Sequence, residues 1–275
     1  MARSGLRQSR IGSGLRAGLR RWAATDGYES SPLQTLVALA NLALAALLGM
    51  QIALALADLA SLVLGLVGAL AAAALGLAFA DFASGCVHFY LDNYARPETP
   101  LFGRMAVEFQ RHHADMTELL SQELANVAHP TGRLTVVAFG LLVILDPPFL
   151  LSAFALTALL GLGFSQVLHR WAHQPPGVTG PPGVVRWLQQ RGLLLSHAGH
   201  VTGHHRAPFE QAYTIVTGQL NGLLDRSGFW RSLERVVYER LGREPGSWRL
   251  EPELRKVALG TRADGVPRAT PHERT

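Results

Sequence analysis

Cysteine is almost missing from this chain: Cys86 is the only one in 275 residues. That excludes an intrachain disulfide, a multi-cysteine zinc site and a cysteine-ligated iron–sulfur cluster. Charge is missing from long stretches too. None falls between Pro32 and Ala57 or between Leu59 and Ala80, so Asp58 alone interrupts a greasy run rich in Leu and Ala. A second run, Leu134–Leu168, holds only Asp146. The overall hydrophobic fraction of 48% is that of an ordinary soluble protein, but no soluble domain needs runs this long, and a purely soluble protein is excluded. Acid is absent before Asp26, where Arg3, Arg7, Arg10, Arg16, Arg20 and Arg21 crowd together. No internal repeat is evident.

A helix crossing about 30 Å of hydrocarbon needs roughly 20 residues. The first run holds two such helices, near 34–56 and 60–82, with a tight turn at Asp58. Asp146-Pro147-Pro148 reads as a turn, because proline lacks a backbone donor and disfavours helix before it. It divides the second run into a short arm, 134–145, and a span near 149–168. The expected fold is an all-α integral membrane protein of about four transmembrane helices carrying a histidine-rich helical cap on the cytoplasmic side. Residues 1–30 form a basic N-terminal segment, 31–248 the membrane domain and 249–275 a polar tail, disordered from Gly260. Arginines beside the first span favour a cytoplasmic N-terminus, although an Arg-rich stretch without acid also fits an organelle transit peptide. Four crossings then return the C-terminus to the same side. The net charge of +5, concentrated beside a span, suits anionic lipid and no nucleic acid. The stripe of Phe229, Trp230, Leu233, Val236, Val237 and Leu241 reads as an interfacial helix, with an amphipathic core helix as the alternative.

Ten of the eleven histidines lie between positions 88 and 205. On this topology they gather in one layer at the cytoplasmic membrane surface. His169 and His173 share a helical face, as do His200 and His204. His112 and His113 are adjacent, point apart, and could serve different metals. Asp81, Gly85, His88 and Asp92 fall on one helical stripe, where a carboxylate can be a ligand or accept a ligand's other ring N–H. A lone histidine at a helix end is usually a cap or surface residue, which is the reading of His197. Eight to ten imidazoles are too many for one ion, whereas two ions of about four nitrogens each fit. Imidazole alone does not choose among Zn, Cu, Fe and Ni.

The segments Asp81–His88, Glu108–Asp115, Phe164–His173 and His200–Phe209 resemble, in order, the motifs of the lipid desaturase domain family. The similarity extends from about Ala80 to Trp248. Asp92-Asn93-Tyr94, Ala125-Asn126 with His129, and Leu223-Leu224-Asp225 are similar to its plant chloroplast branch more than to its plasmanylethanolamine desaturases. Met116 stands where the latter have proline, and Gln122-Glu123 where they have a later His-Asp. Val201 occupies a position where the family usually has histidine, with His200 one residue earlier.

The resemblance implies a membrane non-haem enzyme with two iron ions that desaturates an acyl or alkyl chain of a membrane lipid. It would use O2 and two electrons from an external ferredoxin or cytochrome b5-type donor. It assigns the metal to His88, His112, His113, His129, His169, His173, His200, His204 and His205, and supporting roles to Asp81, Asp92, Asp115 and Asn126. The alternatives are a di-iron lipid hydroxylase, which inserts oxygen instead, and a haem-binding or metal-carrying membrane protein. Haem ligation would place paired histidines inside facing spans, where none is expected. A membrane zinc hydrolase lacks its His-Glu-x-x-His arrangement here.

Overall fold

The computed structural model describes residues 28–100, 102–175 and 180–259; the basic N-terminal segment before Tyr28 and the polar tail from Gly260 lie outside them. The described chain is all-helical, with no strand. Helix α1, Pro32–Ala57, begins with a capping box in which the Ser31 side chain and Gln34 satisfy each other's backbone N–H groups. After the turn at Asp58, helix α2, Leu62–Asn93, runs for 32 residues. At 1.5 Å per residue it is about 48 Å long, far more than a bilayer needs. Its apolar part ends at Ala80, and the remainder carries Asp81, His88 and Asp92 past the hydrocarbon.

Two short helices follow, α3, Gly103–His112, and α4, Thr117–Ser121. Helix α5, Leu124–Leu145, then spans 22 residues. The short arm expected at 134–145 is thus the end of a full-length helix. It accommodates Pro130 and Arg133 in its first half, and a Thr131 hydroxyl donates to Gly163 O at 2.9 Å beside the proline. Asp146 closes it in the left-handed region (φ 44°) ahead of Pro147-Pro148. Helix α6, Phe149–Gly163, bends by 50° into α7, Ser165–His173, where one straight span to 168 was expected. Among the described residues, three helices (α1, α2, α5) are long and apolar enough to cross a membrane, and the bent α6–α7 pair passes the same test when its two helices are counted together.

The beginnings of α1 and α5 lie together, since Gln34 donates to Asn126 Oδ1 at 2.9 Å and Asn126 N donates to Ser30 Oγ at 3.0 Å. Deeper in the bundle, buried Asn41 bridges the same helices, donating to Gly132 O and accepting from Thr135 Oγ1. In hydrocarbon such polar pins have no water to compete with them. Helices α2 and α6 pack backbone to backbone: a Cβ on Gly76 would stand 2.1 Å from Phe154 O. Outward faces are apolar and exposed, among them Val63, Leu64, Val67 and Leu70 of α2 and Leu134, Val137 and Ile144 of α5, as a lipid-facing belt requires.

Beyond the bundle lie α8, Gly183–Gln190; α9, His197–Val201; α10, Asn221–Arg226; α11, Phe229–Leu241; α12, Gly246–Leu250; and α13, Pro252–Leu259. In α11 the first half is docked into the fold, with Trp230 stacked on Phe89 at 5.2 Å, while Val236 and Leu241 remain exposed. The region expected as a polar tail from 249 begins with α13, whose Leu254 and Ala258 are buried against Trp248.

Gly76→Leu is expected to cost about 3 kcal/mol or more, because the clash is with backbone. Gly140, which has nothing within 4 Å of its Cβ position, should tolerate the same change. Thermal unfolding in detergent compares them; equal melting temperatures would remove Gly76 from the helix contact.

Candidate metal centre

The histidines collect into two adjacent groups. His112, His169, His173, His200 and His205 form one; His88, Asp92, His113 and His204 form the other; within each, the ligand atoms lie within 4.8 Å of one another. That is the scale of a single coordination shell. The adjacent pairs are divided: His112 and His205 go to the first group, His113 and His204 to the second. Neighbouring rings across the boundary remain close, with His112–His113 centroids 4.7 Å apart and His113–His205 5.1 Å. The i,i+4 spacing behaves in two ways. His169 and His173 lie on the continuous helix α7 and share a group, whereas α9 ends at Val201 and His204 turns away from His200.

The helical stripe of α2 works as a ladder. Asp81 Oδ1 accepts the N–H groups of Val216, Thr217 and Gly218 at 3.2, 2.7 and 3.0 Å, and Oδ2 accepts the Leu220 N–H at 3.3 Å and the Thr214 hydroxyl at 3.1 Å. One turn on, Gly85 leaves room for this loop; a Cβ there would stand 2.8 Å from Thr214 Cγ2. Next, His88 Nδ1 meets Tyr213 O at 2.9 Å. Last, Asp92 Oδ2 lies 3.2 Å from His88 Nε2, 3.3 Å from His204 Nε2 and 3.7 Å from His113 Nε2. Asp92, expected in support, therefore stands among the ligand atoms. Asp81 is in neither group and clamps the loop that orients His88.

A backbone carbonyl only accepts, so His88 Nδ1 carries its proton toward Tyr213 O, and His204 Nδ1 does so toward Gln211 O at 2.8 Å. Their Nε2 atoms consequently present lone pairs. His88 Nε2, His112 Nε2 and both Asp92 oxygens are buried without a hydrogen-bond partner. In the larger group, His169 Nε2 lies 2.8 Å from His200 Nε2 and 3.1 Å from His173 Nε2, and His205 Nε2 lies 3.2 Å from His200 Nε2. Gln166 Oε1 sits 3.4 Å from His169 Nδ1, one turn away on α7. Protonation does not resolve the crowding. Burial first, then the rings of His113, His173 and His205, hold His112 well below the ordinary histidine range. Burial likewise lowers His113 to about 4, outweighing Asp92, and pushes His200 and His205 down together with neighbouring rings. Neutral rings with converging lone pairs are what a metal cation needs, and carbonyl partners on the second nitrogens fix the tautomer. The residues fit two ions.

The other expected site residues lie elsewhere. His129 belongs to neither group: it is half-buried on α5, where the charges acting on it are Arg133 and Arg104. Its position near the start of a membrane helix, not in the cap, separates it from the other rings. Asp115 is exposed just before α4, accepting from Thr117 N at 3.0 Å and Thr117 Oγ1 at 2.6 Å. Asn126 ties α5 to α1 and lines a crevice that also reaches His112 and His169. Sequence reasoning passed over the Tyr213 and Gln211 carbonyls, which no side-chain pattern reveals, and Gln166, which its i,i+3 spacing from His169 could have flagged. It also missed Phe209, stacked on His113 at 4.3 Å.

A family model for the lipid desaturase domain matches residues 77–248. The chain belongs to the lipid desaturase domain family. Among curated relatives, it is 39% identical over 177 residues to "Fatty acid desaturase 4, chloroplastic" of Arabidopsis thaliana, covering 63% of this chain and 53% of the relative. It is 34% identical over 174 residues to "Fatty acid desaturase 4-like 1, chloroplastic" of the same plant, covering 63% and 58%. Identity falls to 27% over 180 residues with "Plasmanylethanolamine desaturase 1" of Mus musculus, covering 62% and 65%. The expected likeness to the plant branch of the lipid desaturase domain family is thus present. The chain spans about half to two thirds of the length of these relatives. No solved structure matches.

Asp92→Ala is expected to lower metal affinity about ten- to a hundredfold, whereas Asp115→Ala and His129→Ala should leave the metal content unchanged. Elemental analysis of the purified variants checks this; full metal retention by Asp92→Ala would remove that carboxylate from the ligand set.

Proposed function

We propose that this chain is a membrane lipid desaturase that introduces a double bond into an acyl or alkyl chain, using two iron ions, O2 and two electrons from an external ferredoxin or cytochrome b5-type donor. Membership of the lipid desaturase domain family and the names of its relatives support the desaturase reading. The observation that carries the two-ion reading is the pair of neighbouring ligand groups buried in one layer. An unactivated methylene has no acidic proton and no leaving group, and a bound iron pair supplies the oxygen activation that acid–base residues cannot. Overall, two hydrogens leave adjacent carbons, and with two further protons and two electrons O2 ends as two waters.

The protein's share is ligation, orientation and dryness. His112, His169, His173, His200 and His205 hold one ion, and His88, His113, His204 and Asp92 the other. The Tyr213 and Gln211 carbonyls hold the protons of His88 and His204 on Nδ1, so Nε2 stays free for metal. Because His112–His113 and His204–His205 each give one ring to either group, two peptide links would keep the two ligand groups side by side. Phe109, Phe209 and Tyr213 pack edge or face against these rings and exclude water. Placing the groups at the end of the bundle lets a lipid bring its chain to them while its head stays wet. The N-terminal arginines support a cytoplasmic side for this end and for both termini.

The test is lipid mass spectrometry on an aerobic host with and without the gene, together with metal analysis of the purified protein. The expected product has lost two hydrogens, and iron is bound. His169→Ala and His204→Ala should abolish the product and lower bound iron, and His272→Ala should do neither. A product that has gained oxygen would favour the hydroxylase; a haem absorption band, or no bound metal, would sink the reading.

A further inference from the structure

Outside the bundle, helix α8 carries an apolar face that nothing among the described residues covers. Val184 is 65% and Trp187 50% exposed, and Leu193, just past the helix, is 45% exposed, whereas Val185 on the other side of α8 is buried. Val184, Trp187, Leu188 and Arg191 recur at i, i+3, i+4 and i+7, the spacing of one helical stripe. The Arg191 guanidinium lies over the Trp187 ring, 5.4 Å from its centroid, and Arg186 is exposed beside the stripe. No acid occurs between Asp146 and Glu210, so every formally charged side chain of this part of the chain is an arginine.

Main-chain contacts fix the height of α8 relative to the bundle. Gln189 Nε2 donates to Leu195 O at 2.9 Å, and Leu195 N donates to Val216 O at 3.2 Å. Gln219 Nε2 donates to Gly192 O at 3.0 Å. Val216 is itself held by Asp81, and its side chain stands 3.5 Å from the Cβ position of Gly161, where α6 meets Ala80 of α2. The C-terminal half of α8 is therefore tied to the level at which the apolar part of α2 ends.

We propose that α8 is an interfacial helix lying along the bilayer surface, with Val184, Trp187 and Leu193 at the boundary of headgroups and acyl chains and Arg186 and Arg191 on the phosphates of anionic lipid. At eight residues it is far too short to span, but an exposed apolar stripe flanked by arginines is what the surface of an anionic leaflet takes up. An indole with a guanidinium on its face has its natural place at the headgroup level, where the apolar ring and the charge each find their own surroundings. Pairing with a second copy would set arginine against arginine, with no carboxylate in the segment to offset the repulsion. The proposal rests on the membrane architecture and not on the desaturase reading, so either can fail without the other.

The test places the full chain in nanodiscs of phosphatidylcholine with or without phosphatidylserine. Because Cys86 is the only cysteine, a Cys86→Ser background that retains the parent's bound metal allows spin labels at Val184→Cys, at Gln190→Cys off the stripe, and at lipid-facing Val137→Cys of α5. The label at 184 should resemble that at 137, with a ratio of oxygen to nickel-chelate accessibility several-fold above that at 190. Arg186→Gln/Arg191→Gln should lower the docked fraction at 184 roughly fivefold per arginine in the serine-lipid discs, with bound metal unchanged. A measurement that leaves Cys86 in place uses the fluorescence difference between the parent and Trp187→Phe, which phosphatidylcholine brominated on its acyl chain should quench. Equal nickel accessibility at 184 and 190, or a Trp187 signal that brominated lipid leaves unquenched, would overturn the proposal. So would spin–spin broadening at 184 that disappears on dilution with unlabelled protein, which would assign the face to a second copy. A docked fraction that ignores both phosphatidylserine and the arginine changes would overturn the anionic-lipid contact.

Discussion

Asp81 holds a loop, and the loop holds the metal-binding nitrogens. Its carboxylate gathers the backbone N–H groups of Val216, Thr217, Gly218 and Leu220, the first two of which would otherwise be buried without partners. The same loop begins at Gln211 and Tyr213, whose carbonyls decide which nitrogen of His204 and His88 keeps its proton. A carboxylate at the end of a membrane helix therefore determines, through a few residues of main chain, that two imidazoles offer lone pairs in one direction. Asn221 reinforces the arrangement, accepting from Thr214 N at 2.9 Å and donating to Thr214 O at 3.2 Å. Loosening this loop would free the rings to exchange tautomers and lose their common aim, although none of the loop's own side chains is a ligand.

The density of histidine in the centre suits a bound cation. Eight imidazoles and a carboxylate in two groups cannot all satisfy one another, since the Nδ1 protons of His88 and His204 are spent on carbonyls and His88 Nε2, His112 Nε2 and both Asp92 oxygens have no partner. Charging the rings would bury several like charges together, which burial and mutual repulsion both oppose. A metal ion in each group would accept that group's lone pairs at once, and apolar packing by Phe109, Phe209 and Tyr213 would keep water from taking its place. Stability of the cap and loading of the site are in this sense one property.

Much of this was legible in the residues because membrane helices and metal sites both leave periodic marks. Uncharged runs marked the spans, Asp146-Pro147-Pro148 marked a turn, and paired histidines marked the cap. What escaped was set by tertiary context. Arg133 and Pro130 look like the end of a helix, yet α5 continues through them because Thr131 and Asn126 find partners on neighbouring elements. Asp81 and Asp92 share a stripe and look equivalent, but they stand eleven residues apart, about 16 Å along the helix, so one meets the loop and the other the ligands. His129 matches a family pattern in sequence while its helix carries it away from the cap.

The position of the centre follows from where two helices leave the bilayer. A Cβ on Gly161 of α6 would stand 2.6 Å from Ala80 Cβ of α2, so the helices still touch closely one residue before the Asp81 ladder begins. Three residues after Gly161, at Phe164, the 50° bend turns α7 across the top of the bundle, and the face bearing His169 and His173 comes to lie against the rings rising on α2. A straight continuation would carry those two histidines along α2, away from His112, His200 and His205. The close contact and the bend thus occur at one level, and that level is the edge of the hydrocarbon. The proposed lipid substrate would therefore reach the ligand groups without leaving the membrane, and the polar cap would close over them from the aqueous side.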